Sequence, residues 1–163
     1  MKRFLIALPL VVGLAGCGDD NNNSPTSPGS PSPSPSASAE PTIAVVTATS
    51  NPSLVAAVAS ADPAFTWQIS WVLTVQETGG ISGRLNFLQV TIADQQVLVL
   101  SASGISAVAG SNSVSARGSL QIPLTLQYTL PDGGKLANVT TTINFTDARG
   151  NVLVTSAQLR IVD

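Results

Sequence analysis

From Thr42 onward the chain alternates apolar with small polar residues, and the apolar positions recur with a period of two. That period belongs to strands with one buried face, because successive side chains of an extended chain point to opposite sides. Leu120, Ile122, Leu124, Leu126, Tyr128 and Leu130 keep it without a break against Ser119, Gln121, Thr125, Gln127 and Thr129. Pro123 falls on the polar phase and has no N–H to donate, which predicts a sheet edge or a bulge for this strand. Trp67, Ile69, Trp71, Leu73 and Val75 share the face of another strand. Glu77-Thr78-Gly79-Gly80 reads as a turn after it and residues 84–93 as the returning strand of a hairpin. Within that return Leu85 and Phe87 hold one phase and Leu88, Val90 and Ile92 the other, so a β-bulge is expected near Phe87.

The remaining segments are shorter. Residues 43–49 predict a first strand and residues 96–101 another, while residues 52–61 suit either a helical turn or a short strand before Asp62-Pro63. Residues 102–113, rich in Gly, Ser and Asn, read as a loop or a weak edge. Pro131-Asp132-Gly133-Gly134 has the composition of a turn. Val139, Thr141, Ile143 and Phe145 then face inward, Asp147-Ala148-Arg149-Gly150-Asn151 reverses the chain, and Leu153, Ala157, Leu159 and Ile161 complete the pattern. About seven strands at short, regular spacing predict a β-sandwich.

Before Thr42 the pattern is different. Met1-Lys2-Arg3 is cationic, and residues 4–14 are apolar apart from Pro9 and Gly13. This is the layout of a secretory signal peptide. It is too short to span a bilayer, which takes about 20 apolar residues. Residues 18–41 are Asn, Ser, Pro and Thr with almost nothing apolar, so they cannot bury a core. Pro31, Pro33 and Pro35 alternate with serine, which favours extended polyproline conformations and a disordered tether. Fully extended at about 3.1 Å per residue, it would reach ~75 Å. A spacer is favoured over a ligand for a proline-recognising domain or a glycosylated stalk, since the repeat is degenerate and lacks flanking basic residues.

Leu14-Ala15-Gly16-Cys17 resembles the lipobox of bacterial lipoproteins: an aliphatic residue, two small residues and a cysteine. The resemblance implies diacylglyceryl transfer to the Cys17 thiol, cleavage before Cys17 and a membrane lipid as the partner of the acylated residue. The domain plan is then a signal peptide over 1–16, a lipidated cysteine and tether over 17–41, and the sandwich over 42–163. Cys17 is the sole cysteine, so no internal disulfide forms. Two or three acyl chains, at ~0.8 kcal/mol per buried methylene, would make the attachment stable where one is marginal. Gly18 stands where an aspartate would signal inner-membrane retention, so the resemblance implies the outer membrane in a two-membrane bacterium. Asp19-Asp20 resembles a short surface-export signal, although a solvated linker is the favoured reading of that pair.

The stretch from Thr142 to Val152, with Asp147-Ala148-Arg149-Gly150-Asn151 at its turn, resembles the last hairpin of bacterial immunoglobulin-like domains. This implies an all-β fold, an immunoglobulin-like antiparallel β-sandwich of about seven strands preceded by the signal peptide and the disordered tether. In the absence of a disulfide, Trp67 or Trp71 is expected to fill the space between the sheets.

Composition narrows the chemistry. There is no histidine, the commonest general base and zinc ligand. Cys17 is committed to lipid, and no serine sits in Gly-x-Ser-x-Gly or Ser-x-x-Lys. Asp62, Glu77, Asp94, Asp132, Asp147 and Asp163 are dispersed and mostly in predicted turns, so neither a carboxylate pair nor a calcium site is expected. Gly79-Gly80-Ile81-Ser82-Gly83-Arg84 lacks the Walker lysine and reads as a turn. No catalytic residue, cofactor or metal is therefore expected. Removing Lys2 and Arg3 leaves Arg84, Arg117, Lys135, Arg149 and Arg160 against nine acidic residues, which makes nucleic acid an improbable partner. The expectation is a lipid-anchored protein of the bacterial cell envelope or surface with a non-catalytic binding or adhesion module. Its protein or glycan ligand would meet residues 79–83, residues 102–113 or an exposed strand edge. The alternative is a periplasmic accessory that holds another envelope protein.

Overall fold

In chain order the elements are β1 (Val46–Asn51), β2 (Leu54–Ala56), β3 (Val58–Ala59), β4 (Trp67–Glu77), β5 (Gly83–Ile92), β6 (Gln95–Ser101), α1 (Ala102–Ala109), β7 (Ser113–Val114), β8 (Ser119–Tyr128), β9 (Asn138–Asp147) and β10 (Val152–Val162). They come from a computed structural model that describes Glu40 and residues 42–163. The signal peptide, the lipobox with Cys17 and the tether up to residue 39 lie outside the described residues. Seven of the strands have six or more residues, in line with the number expected from the periodicity.

These strands form two sheets packed face to face as a β-sandwich. In the first sheet β4 is central: β8 pairs along one side of it, while β1 and β3 pair with opposite ends of it. The second sheet runs β2-β10-β9-β5-β6, with β7 on the start of β5. Pairing is antiparallel except between β2 and β10, which are parallel. The alternating faces meet between the sheets. Ile69, Trp71, Leu73 and Val75 of β4 and Ile122, Leu124, Leu126 and Tyr128 of β8 are buried on one side. Leu85, Leu88, Val90, Val139, Ile143 and Phe145 are buried on the other. At ~25 cal/mol per Å² of apolar surface removed from water, this interlayer core is the main source of stability in a domain without disulfides.

Several expectations hold. β8 lies at a sheet edge, with Pro123 opposite Val72, so the missing N–H leaves no gap inside a ladder. The register of β5 against β9 shifts between Leu85 and Phe87, which is the expected bulge. The β9–β10 turn closes as read from the sequence, with Gly150 at φ 89°, a backbone conformation that side chains other than glycine rarely adopt.

Others are corrected. β4 and β5 do not form a hairpin, because they belong to different sheets and the chain crosses between layers over residues 78–82. The true hairpin of this region is β5–β6, whose two connecting residues Ala93 and Asp94 have φ of 47° and 63°. Positive φ at both positions marks a turn whose twist suits a two-residue loop. Residues 52–61 form neither a helix nor one strand: β2 joins the second sheet and β3 returns to the first. The first strand begins at Val46, and only Ala44 of the preceding residues 42–45 is buried.

Residues 102–113 contain a helix, not a loop. Ser101 Oγ accepts the Gly104 N–H at 3.3 Å at its start, and Gly110 takes the left-handed conformation at its end. The helix buries Ile105 and packs against β5, β6 and β8.

Candidate binding site

The end of the sandwich at which the chain enters β1 is organised by two buried carboxylates. Glu77 continues the inward phase of Trp67 to Val75 and is 0% exposed; Asp147 continues that of Val139 to Phe145 and is 4% exposed. Glu77 Oε1 accepts the Val45 N–H at 3.2 Å, and its Oε2 accepts those of Gly80 at 2.9 Å and Arg117 at 2.8 Å. Asp147 Oδ1 accepts the N–H groups of Arg149 at 2.9 Å and Asn151 at 2.8 Å. Its Oδ2 takes the Ala44 N–H at 3.2 Å and Asn151 Nδ2 at 2.9 Å. Successive amides, Ala44 and Val45, are thus held by carboxylates from different sheets.

Burial alone would raise both pKa values and favour the neutral form. For Glu77 the donors on Arg117, Val45, Gly80 and Ile81 outweigh it and hold the carboxyl below the ordinary glutamate range. For Asp147, Asn151 through its side chain and backbone, with the Ala44 and Arg149 amides, has the same effect. Both groups are anchors, with their oxygens already engaged by N–H donors. The sequence placed both in turns; their phase within β4 and β9 was the signal that they point inward.

Beside Asp147 lies a hollow of about 580 Å³ over β7, β5 and β9. Ser82, Arg84, Asn86, Ser113, Ser115 and Thr146 give it a polar lining, and Val114 and Ala148 an apolar one. Two features of β5 shape it. Gly83 lies so close to β9 that a Cβ there would run into the Phe145 ring and the Thr146 carbonyl. The bulge then gives β5 two consecutive exposed residues, Asn86 and Phe87, where regular alternation allows one. Ser113, Arg84, Thr146 and Val152 stand side by side across β7, β5, β9 and β10. Asn86 Nδ2 donates to Asn144 Oδ1 at 2.5 Å and to Thr146 Oγ1 at 2.8 Å. Among the described residues Arg84 forms no ion pair; the two found join Lys135 to Asp163 and Arg149 to Glu40.

The loops expected to bind a partner fare differently. Of residues 79–83, Ile81 is buried and Gly80 is tied to Glu77, while Ser82 and Gly83 border the hollow. Residues 102–113 contribute Ser113 from β7, their helix serving the core. Trp71 is buried between the sheets and Trp67 is half-buried, with the Lys135 ammonium 5.9 Å from its ring centroid. A smaller depression of about 250 Å³ lies between β6 and β8, lined by Phe65, Ile92, Val97, Tyr128 and Leu130 among others. Tyr128 donates from its hydroxyl to the Lys135 carbonyl at 2.6 Å, and burial pushes its pKa up to about 12. Among the described residues no group of three or more His, Cys, Asp or Glu could hold a metal ion. Cys17, the expected lipidation site, lies outside the described residues.

No family model and no curated protein matches the chain. Solved structures resemble it at low identity. The structural-genomics target SoR45 aligns at 11% identity over 77% of this chain and 90% of its own, with a TM-score of 0.48. The CARDB domain of a Pyrococcus furiosus protein, solved in complex with di-metal ions, aligns at 12% identity over 77% and 95%, with a TM-score of 0.46. The sporulation control protein Spo0M of Bacillus subtilis aligns at 13% identity over 72% of this chain and 48% of its own, with a TM-score of 0.39.

Proposed function

We propose that this chain is a lipid-anchored, exported protein of the bacterial cell envelope whose sandwich acts as a non-catalytic binding module. The anchor rests on Leu14-Ala15-Gly16-Cys17 following a cationic start and a short apolar run. The binding role rests on one observation, the hollow over β7, β5 and β9, where a guanidinium that forms no ion pair among the described residues shares the lining with several hydroxyls. Binding through groups fixed on strands costs little ordering, whereas catalysis would need a nucleophile or base, and the carboxylates nearest the hollow are engaged as anchors. The tether suits this role, because its reach carries the module away from the membrane.

The test is protease shaving and antibody labelling of intact cells, with the Cys17→Ala chain as control. Labelling of intact cells supports a surface-binding role. Protection until the outer membrane is opened redirects the proposal to a periplasmic accessory. Appearance of the wild-type chain in the soluble fraction refutes the anchor.

A further inference from the structure

Resting on the reading of the sandwich as a binding module, we infer that the β7-β5-β9 hollow binds a saccharide that carries a carboxylate. The groups present match the parts of such a ligand. Arg84 is a planar donor of five N–H groups with no ion pair among the described residues, and its cross-strand neighbours Ser113 and Thr146 are hydroxyls. A guanidinium without a competing anion takes a carboxylate in a two-pronged, charge-assisted contact. Asn86 spends both amide N–H groups on Asn144 and Thr146, which leaves its Oδ1 to accept from ring hydroxyls and the Thr146 hydroxyl to donate to them.

The bulge supplies the apolar element. Phe87, 39% exposed, follows Asn86 on the outer surface of β5, just outside the lining of the hollow, so a saccharide that extends past Asn86 would meet an aromatic ring able to cover the C–H face of a pyranose. The nearest negative charge, on Asp147, is turned to the N–H groups of Ala44, Arg149 and Asn151 and offers a ligand little repulsion. The outward-facing groups around Arg84 are otherwise uncharged, so the hollow seats one carboxylate at Arg84 and offers hydroxyl and amide partners to the rest of the saccharide.

The test is calorimetric titration of the full lipidated chain in detergent with α-1,4-trigalacturonate and with the neutral α-1,4-galactotriose. Arg84→Gln, Phe87→Thr and Arg160→Gln chains are titrated alongside, and thermal midpoints confirm that each is folded. Arg160 is the other arginine on the strands of this sheet, opposite Asn138 and away from the hollow. The expected result is that trigalacturonate binds at least tenfold more tightly than galactotriose. Arg84→Gln should abolish that difference, Phe87→Thr should weaken both sugars, and Arg160→Gln should change neither. Equal binding of the two sugars, no binding of either, or equal losses from Arg84→Gln and Arg160→Gln would overturn the inference. If trigalacturonate fails but cell-surface labelling and crosslinking still find a partner, the ligand class falls and the binding module stands.

Discussion

Glu77→Gln is the substitution that most sharply tests the account of the sandwich end. The side chain keeps its shape but loses its charge and exchanges one acceptor oxygen for an NH₂ group. The amide oxygen can serve either the Gly80 and Arg117 N–H groups or the Val45 N–H, and the NH₂ group must then face a donor. A buried donor left without a partner costs about 1–3 kcal/mol, and bonds to a neutral oxygen are weaker than charge-assisted ones. Because Val45 is exposed and water can reach its amide, the combined loss is set at about 2–4 kcal/mol. For a domain of this size that lowers the melting temperature by roughly 10 °C. The assay is a thermal melt followed by circular dichroism, with Asp94→Asn as control: Asp94 is exposed, and asparagine also accepts its positive φ. The control should move stability by less than about 0.5 kcal/mol. The pH dependence supplies a second signature. Because the folded pKa of Glu77 is depressed, its contribution is complete above the ordinary value of 4.5 and is lost as pH falls through the folded value. Wild type should therefore lose stability more steeply than Glu77→Gln below pH 4.5. A Glu77→Gln melt within 2 °C of wild type at pH 7, as an order-of-magnitude bound on ~0.5 kcal/mol, would refute the anchoring role.

Three further outcomes are expected. Tyr128 is held neutral by burial, so its stabilising effect is present below the ordinary pKa of 10.0 and is lost as pH rises toward about 12; Tyr128→Phe should flatten the alkaline limb of an unfolding series. Gly83→Ala should destabilise by about 1–3 kcal/mol, since the added methyl meets the Phe145 ring and the Thr146 carbonyl, and should also disturb the hollow; denaturant unfolding measures it. Ile105→Ala should cost about 2–4 kcal/mol in the same assay, because Ile105 is the buried residue through which α1 joins the core.

Much of the fold was legible because faces follow directly from side-chain alternation. The unbroken phase of β8, the edge position of Pro123 and the bulge at Asn86-Phe87 all came from it. Partners did not, because alternation says which face is buried and not which strand lies alongside; hence β4 and β5 read as a hairpin although they sit in different layers. The helix at Ala102–Ala109 was hidden by its composition of Ala, Ser and Gly around one buried isoleucine, with no charged residue in its first or last turn. Glu77 and Asp147 were assigned to turns because an acid before glycines is usual turn chemistry. Their burial depends on amides from segments distant in sequence, Ala44 with Asp147 and Arg117 with Glu77. The hollow was legible in part: residues 79–83 were singled out and two of them, Ser82 and Gly83, border it, but Arg84 and Thr146 become neighbours only through the β5–β9 register.

The central claim is a binding module held to a membrane by lipid, and mass measurement of the mature amino terminus tests it most directly. The full-length gene is expressed in a bacterial host and the product partitioned between detergent and aqueous phases, with Cys17→Ala in parallel. The account predicts a wild-type chain that starts at Cys17, carries the added mass of diacylglycerol and enters the detergent phase, while Cys17→Ala remains unlipidated. A wild-type chain that retains residues 1–16, or one cleaved elsewhere and found unmodified in the aqueous phase, would contradict it.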